Sequence, residues 1–145
     1  MNDTIIEGKY LAFVLDNESR TRVLQAFPPR FERVTCDHVT MNRNPTVKHH
    51  TPLVGTSPKV VLYRHAFNER VECVIATVDG SINRGEFDRA SKGYYHVTIS
   101  FVQGAQAYDS NTLLNSLPLE WWTDCLVGES IPVTGTIQLL QKGSD

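Results

Sequence analysis

Hydrophobic and polar positions alternate most regularly across residues 94–102. Every second position holds a large apolar or aromatic side chain, namely Tyr95, Val97, Ile99 and Phe101. A polar group is present at each position between them, which are Tyr94, His96, Thr98 and Ser100. Because successive side chains of a strand point to opposite faces, this pattern predicts a strand with one core face and one polar face.

Several other apolar runs have the length and composition of strands. They cover residues 9–15, 31–41, 59–67, 70–78 and 131–141. Only Asn68 and Glu69 separate the third run from the fourth, which predicts a hairpin. Pro132 lies near the start of the last run, where a strand tolerates proline.

Two segments carry the signals of helices. Asp16 and Asn17 are favourable N-cap residues, and the apolar positions that follow predict a helix over residues 18–27, which Pro28 stops. Asp109 or Ser110 caps a second predicted helix that runs to residue 117. Residues 42–58 are predicted to be a long loop, and residues 118–128 to be irregular. The order of elements predicts one α+β domain over residues 1–145, with two similar lobes built around the strands at 33–41 and 94–102.

The triplet His-Val-Thr occurs twice, at residues 38–40 and 96–98, with starting points 58 residues apart. In both predicted strands the valine belongs to the apolar face, and the histidine and threonine share the polar face. Each strand therefore presents an imidazole and a hydroxyl about 7 Å apart. Valine and threonine favour strands, so a single triplet is unremarkable. Two copies in the same context indicate a functional pair.

Two such pairs facing each other suit phosphodiester chemistry. One imidazole can accept a proton from the attacking oxygen while the other donates a proton to the leaving oxygen, since histidine titrates at a pKa of about 6.5. The threonine hydroxyls can donate to the non-bridging oxygens, where negative charge gathers. The catalytic candidates are thus His38, Thr40, His96 and Thr98, and the chemistry requires no cofactor.

The net charge and the lengths of the apolar runs disfavour two kinds of binding partner, long duplex nucleic acid and membranes. The 145-residue chain has a formal net charge of −2, so it lacks the basic field with which proteins hold long duplex nucleic acid. No apolar run is long enough to span a membrane.

Three widely spaced cysteines predict reduced thiols and a cytoplasmic location. A zinc site is disfavoured because the cysteines and histidines lack paired ligand spacing, and no metal site is predicted.

The paired motifs, in the contexts Cys36-Asp37-His38-Val39-Thr40-Met41 and Tyr95-His96-Val97-Thr98-Ile99-Ser100, resemble those of the 2H phosphoesterase superfamily. This superfamily includes RNA ligase-like proteins, cyclic phosphodiesterases and small phage anti-CBASS enzymes that destroy cyclic oligonucleotide signals. The resemblance implies a bilobal fold, with two antiparallel sheets flanking a central cleft and helices outside. It also implies metal-independent hydrolysis of cyclic nucleotides or cyclic oligonucleotides, in the host cytoplasm if the chain is phage-encoded.

The sequence is also compatible with two alternative functions. One is a 2′,3′-cyclic phosphodiesterase acting on short RNA ends, and the other is a non-catalytic nucleotide-binding module. Further candidates for substrate contact are residues able to stack on bases or to hydrogen bond, which are Tyr10, Tyr94, Ser100, Trp122 and Glu129.

Overall fold

The computed structural model describes residues 3–82, 93–107, 109–123 and 130–142. The chain opens with strand β1 (Lys9–Leu15) and helix α1 (Asn17–Ala26), as predicted. Asp16 caps α1, because its carboxylate accepts a hydrogen bond from the Ser19 backbone N–H at 2.8 Å. Sequence signals at this end of the chain were therefore sufficient to define both elements.

The predicted strand at 31–41 is divided into two, which corrects the sequence-based expectation. Strand β2 (Arg33–Val34) and strand β3 (His38–Asn42) are separated by Cys36, whose φ of +50° turns the chain out of the extended conformation. The turn is held because the Cys36 N–H donates to the Thr98 carbonyl at 2.9 Å. As a result the second piece begins at the first motif histidine.

The predicted loop at 42–58 contains a short helix α2 (Val47–His50) and a 3₁₀ turn (Thr51–Leu53). The predicted hairpin is confirmed as β4 (Val60–Phe67) and β5 (Val71–Val78). Strand β6 (His96–Phe101) and helix α3 (Asp109–Ser116) follow close to their predicted positions. Part of the segment expected to be irregular forms helix α4 (Leu119–Thr123).

The last predicted strand is interrupted at Thr134, which separates β7 (Ile131–Val133) from β8 (Gly135–Gln141). The Thr134 N–H donates to the Ser19 hydroxyl at 2.8 Å, and the Thr134 hydroxyl donates to the Asp16 carboxylate. These bonds tie the C-terminal strands to the start of α1. Gly135 follows because a Cβ there would lie 2.0 Å from the Val14 carbonyl oxygen.

The described strands form one eight-stranded sheet, in which antiparallel neighbours follow the order β7-β4-β5-β6-β3-β1-β8 and β2 pairs with β6. The two sheets expected from the sequence are thus joined, because β3 and β6 pair directly at Val39 and Val97. Sheet and helices together make an α+β arrangement. No helix in these ranges combines the length and apolar character needed to cross a membrane.

Two apolar clusters lie on opposite faces of the sheet. The first includes Phe13, Val39 and Val97 and is covered by α1. The second includes Cys73, Ile75 and the leucines of α3, with the tryptophans of α4 packed against it. Burial raises the pKa of both Cys36 and Cys73 to about 12, so these thiols are neutral core groups.

In the described part of the chain, helices cover only part of the second face. Helix α3 contacts β4 and β5, whereas Tyr10 and Val14 of β1 and Thr136 and Gln138 of β8, which are exposed or half-buried, continue the same face beyond β3. The face therefore changes from a packed core to an accessible surface around β6 and β3. The two motifs lie at this boundary.

Candidate active site

The two motifs are brought together by the antiparallel pairing of β3 with β6. Val39 is the direct partner of Val97, and both valines are fully buried in the first cluster. The residues on either side of each valine therefore point to the opposite face. The same register places His38 next to Thr98, and Thr40 next to His96. Cross-strand neighbours have Cβ atoms about 5 Å apart, so the four side chains form one compact group.

The His38 imidazole is half-buried and has a partner for each ring nitrogen. Its Nδ1 lies 2.7 Å from Asp37 Oδ1, and its Nε2 lies 3.4 Å from the Tyr10 hydroxyl. A carboxylate only accepts, so Nδ1 carries the proton and Nε2 is the basic nitrogen. The hydrogen bond from His38 lowers the pKa of Asp37, which is therefore ionised throughout the neutral range.

The His96 imidazole is buried, and a neutral group orients it. Its Nδ1 donates to the Tyr94 carbonyl oxygen at 2.8 Å, which fixes the same tautomer as in His38. In both rings Nε2 is consequently the nitrogen that exchanges a proton. The two histidines differ in their Nδ1 partner, which is a carboxylate for His38 and a backbone carbonyl for His96.

The two threonines also differ. Thr98 is buried, and its hydroxyl lies 2.8 Å from the hydroxyl of Ser110 in α3 and 3.4 Å from the Ala107 carbonyl. The Ser110 hydroxyl is itself fully buried, so the contact holds Thr98 in one position. Thr40 is half-buried. The arrangement offers two hydroxyl donors, one of them rigidly placed, beside two imidazoles.

Aromatic side chains lie next to His96. The rings of Tyr94 and Trp122 have centroids 4.2 Å apart, and Trp121 contacts Trp122 edge-on at 4.8 Å. Arg64 packs over Trp121 and donates to its carbonyl oxygen at 2.7 Å. Tyr94 and Trp122 are half-buried, so this group is partly core and partly accessible surface. The structure thus places Tyr10 beside His38, and Tyr94 two residues before His96 with Trp122 packed against its ring.

Ser100 does not share the face of His96 and Thr98, which corrects the sequence-based expectation. The register of β5 with β6 skips Ile99, since Glu72 pairs with Ser100 and Cys73 with Thr98. This bulge turns Ser100 to the side of the first cluster, where its hydroxyl donates to Glu72 Oε1 at 2.5 Å. Ser100 is fully buried there and is a structural residue. Glu129 lies outside the described residues.

Sequence reasoning missed Asp37 and Ser110. Asp37 immediately precedes the first motif, and an acidic residue beside a candidate catalytic histidine was an available signal. Ser110 was considered only as a helix cap. Its contact with Thr98 joins β6 to α3 and leaves no local mark in the sequence.

The described residues contain no group of three or more histidine, cysteine, aspartate or glutamate side chains placed to share a metal ion. The polar groups at the site instead form two imidazole–hydroxyl pairs, with a carboxylate behind one imidazole. This arrangement can accept one proton, donate another and stabilise developing negative charge at a point between the two strands.

No protein-family model matches the chain, and none of the curated proteins compared with it does. A solved structure described as "Crystal Structure of Fungal RNA Kinase" superposes on 97% of this chain with a TM-score of 0.53 and 14% sequence identity. The chain spans 45% of the length of that structure. At this identity the likeness concerns the fold alone.

Proposed function

We propose that this protein is a metal-independent phosphodiesterase that acts on ribonucleotide phosphodiester bonds. The observation that carries the proposal is the pairing of Val39 with Val97, which sets the two His-Val-Thr triplets side by side. Both imidazoles are fixed in the tautomer that makes Nε2 the basic nitrogen. A matched acid and base contribute about 10²–10⁴-fold each to such a reaction.

The reaction begins with a ribose 2′-hydroxyl beside the scissile phosphorus. One imidazole takes the 2′-hydroxyl proton as that oxygen bonds to phosphorus, and the other protonates the departing 5′-oxygen as its bond to phosphorus breaks. Thr40 and Thr98 donate to the non-bridging oxygens. The product carries a 2′,3′-cyclic phosphate. Water then opens this ring with the two imidazoles in exchanged roles.

Asp37 contributes by positioning His38. Its ionised carboxylate accepts a hydrogen bond from the His38 Nδ1–H, which holds the ring and stabilises the imidazolium that forms during proton transfer. The Tyr94 carbonyl positions His96 in the same way but without a charge. The two histidines therefore have the same geometry and different electrostatic support.

The first substrate class is cyclic nucleotides and cyclic oligonucleotides, including those used as antiviral signals. The paired motifs support it through their resemblance to anti-CBASS enzymes, and the half-buried Tyr94 and Trp122 supply faces on which a base can stack. In this proposal residues 1–145 act as one domain in the cytoplasm. The substrate lies in a cleft over β3 and β6.

The second candidate is hydrolysis of 2′,3′-cyclic phosphates at RNA ends. It is favoured by the structural neighbour, whose description names an RNA kinase. The chemistry required is the second half of the reaction above and uses the same four side chains. The two candidates therefore differ in substrate and share one site.

The test is a panel of cyclic mono-, di- and trinucleotides and an RNA with a 2′,3′-cyclic phosphate end, incubated with the protein in EDTA and analysed by mass spectrometry. We expect at least one substrate to be opened. A doubly substituted protein, His38→Ala with His96→Ala, controls for contaminating nucleases. Activity that EDTA abolishes and zinc or manganese restores would refute the mechanism. Binding without turnover across the panel would identify a nucleotide-binding module.

A further inference from the structure

A cavity of about 440 Å³ opens on the accessible half of the sheet, beyond the first motif. Val14 of β1 is the direct partner of His38, and Thr136 of β8 is the direct partner of Val14. Val14 and Thr136 both line the cavity. Thr136 therefore lies two strand spacings, about 10 Å, from His38 on the same face. The cavity is a lateral extension of the surface that carries the motifs.

The outer wall of the cavity comes from the loop before β4. The Gly55 N–H donates to the Ile137 carbonyl at 2.8 Å, and the Ile137 N–H donates to the Thr56 carbonyl at 2.9 Å. These bonds pair residues 55 and 56 with β8, on the side away from β1. Ser57 is consequently held against β8, where it lines the cavity opposite Val14.

The residues that line the cavity are suited to bind an uncharged polar group of a ligand. Val14 provides an apolar floor, and Ser57, Thr136 and Gln138 provide hydroxyl and amide groups. Gln138 Nε2 donates to Thr136 Oγ1 at 3.2 Å, which orders the amide. Among the residues that the structure describes, no lysine or arginine lines the cavity, whereas the acidic residue Asp16 does. A phosphate is therefore disfavoured, whereas the hydroxyls of a ribose and the polar edge of a base find both donors and acceptors.

We infer that this cavity is a subsite for the nucleoside that neighbours the scissile phosphate on the His38 side. The inference rests on the proposed phosphodiesterase function and specifies its substrate, which contains at least two nucleotides. The volume lies within the range of about 300–1,000 Å³ typical of small-molecule sites. The phosphate lies between the motifs, and the second nucleoside extends over Val14 towards Gln138.

The subsite is tested with Gln138→Ala and Thr136→Val, which remove lining groups while leaving the motifs intact. KM is measured for a cyclic diribonucleotide and for a nucleoside 2′,3′-cyclic monophosphate. Loss of one hydrogen bond corresponds to about fivefold in affinity. We expect each variant to raise KM for the dinucleotide at least about fivefold more than KM for the mononucleotide. Gln141→Ala is the matched control, because Gln141 lies on the same strand outside the lining. It should change neither value.

Calorimetric binding of the cyclic diribonucleotide to protein carrying His38→Ala and His96→Ala separates this inference from the proposed function, since it requires no turnover. Binding to this protein that weakens at least about fivefold when Gln138→Ala is added supports the subsite, even if no substrate is cut. Equal losses on both substrates, or unchanged dinucleotide affinity in both variants, would overturn it. Turnover of neither substrate would count against the phosphodiesterase alone.

Discussion

Val39 of β3 lies directly opposite Val97 of β6, although 58 positions separate them in the chain. In an antiparallel pair this register exchanges the neighbours, so each motif histidine faces the other motif's threonine. The site therefore has approximate twofold character, with one imidazole and one hydroxyl from each strand. Such a site can use either imidazole as base or acid, as the two successive steps of ribonucleotide hydrolysis require.

Alanine substitutions of the four motif residues are expected to lower the catalytic rate by different factors. His38→Ala and His96→Ala should each lower the rate at least about a hundredfold, because each removes a positioned acid or base. Thr40→Ala and Thr98→Ala should cost less, since each removes one donor to the transition state. Steady-state kinetics under EDTA measure these effects. His49→Ala, in α2, is a matched control that should leave the rate unchanged.

Circular dichroism of these variants separates chemistry from folding. His96 and Thr98 are buried, so their variants should melt at a lower temperature than the His38 and Thr40 variants while remaining folded at 25 °C. A folded His96→Ala protein with a near wild-type rate would show that β6 does not supply an acid or base.

The carboxylate behind His38 should shape the pH dependence of the rate. The wild-type profile should be a bell, because one imidazole starts neutral and the other protonated. The pKa of Asp37 is below its ordinary value, so Asp37 itself produces no limb in the neutral range. Asp37→Asn removes the negative charge that favours the imidazolium, and one limb should therefore move to lower pH. The maximum rate should fall about tenfold or more.

Asp37→Glu distinguishes this electrostatic role from a structural one. It retains the charge and should restore the limb at least in part. An Asp37→Asn profile that keeps both limbs in place while losing rate would show that Asp37 only supports the local fold.

Much of the fold follows from local patterns. The helix after Asp16, the β4–β5 hairpin and the alternation in β6 depend on neighbours in sequence, and the structure contains all three. The triplets were visible because their chemistry repeats. That β3 and β6 are adjacent was not visible, since strand pairing depends on contacts between distant segments. The sequence therefore indicated the residues of the candidate site, and the structure adds the register that sets them side by side.

Two local irregularities of the strands, a bulge and a positive φ, could not be predicted from the sequence because both depend on tertiary contacts. The bulge at Ile99 moves Ser100 to the opposite face, and an unbroken apolar–polar pattern offers no sign of it. The sequence also gives no sign of the positive φ of Cys36, because cysteine has no preference for that conformation. Both features are held by tertiary hydrogen bonds, to Glu72 and to the Thr98 carbonyl.

The buried Glu72 should therefore be important for stability. Its carboxylate is fully buried and accepts from the Arg30 N–H at 2.6 Å and the Ser100 hydroxyl, while His65 Nε2 lies 2.8 Å from Oε2. Glu72→Ala removes the acceptor of the buried Ser100 hydroxyl and the partner of the Arg30 N–H and the His65 imidazole, and it should lower the free energy of unfolding by about 3 kcal/mol. Urea denaturation measures the difference. Glu69→Ala, in the exposed hairpin turn, should change it by less than about 0.5 kcal/mol.

The activity of the folded Glu72→Ala protein adds a second readout. Glu72 lies on the face opposite the motifs, so kcat measured well below the melting temperature should stay within a few-fold of wild type. A variant as stable as wild type would show that the three hydrogen bonds do no more than offset the cost of burying the carboxylate.

The ribose supplies the nucleophile in the proposed mechanism, so removing its 2′-hydroxyl tests that mechanism directly. A 2′-hydroxyl held beside phosphorus attacks intramolecularly, and such reactions reach effective molarities of about 10⁵–10⁸ M. A cyclic diribonucleotide should therefore be cut in EDTA, whereas its 2′-deoxy counterpart should bind and remain intact. Mass spectrometry should also detect a transient 2′,3′-cyclic phosphate. Equal rates for the two compounds would mean that water attacks directly. Failure to cut either, together with rapid opening of a 2′,3′-cyclic phosphate on RNA, would assign the same four side chains to RNA-end processing.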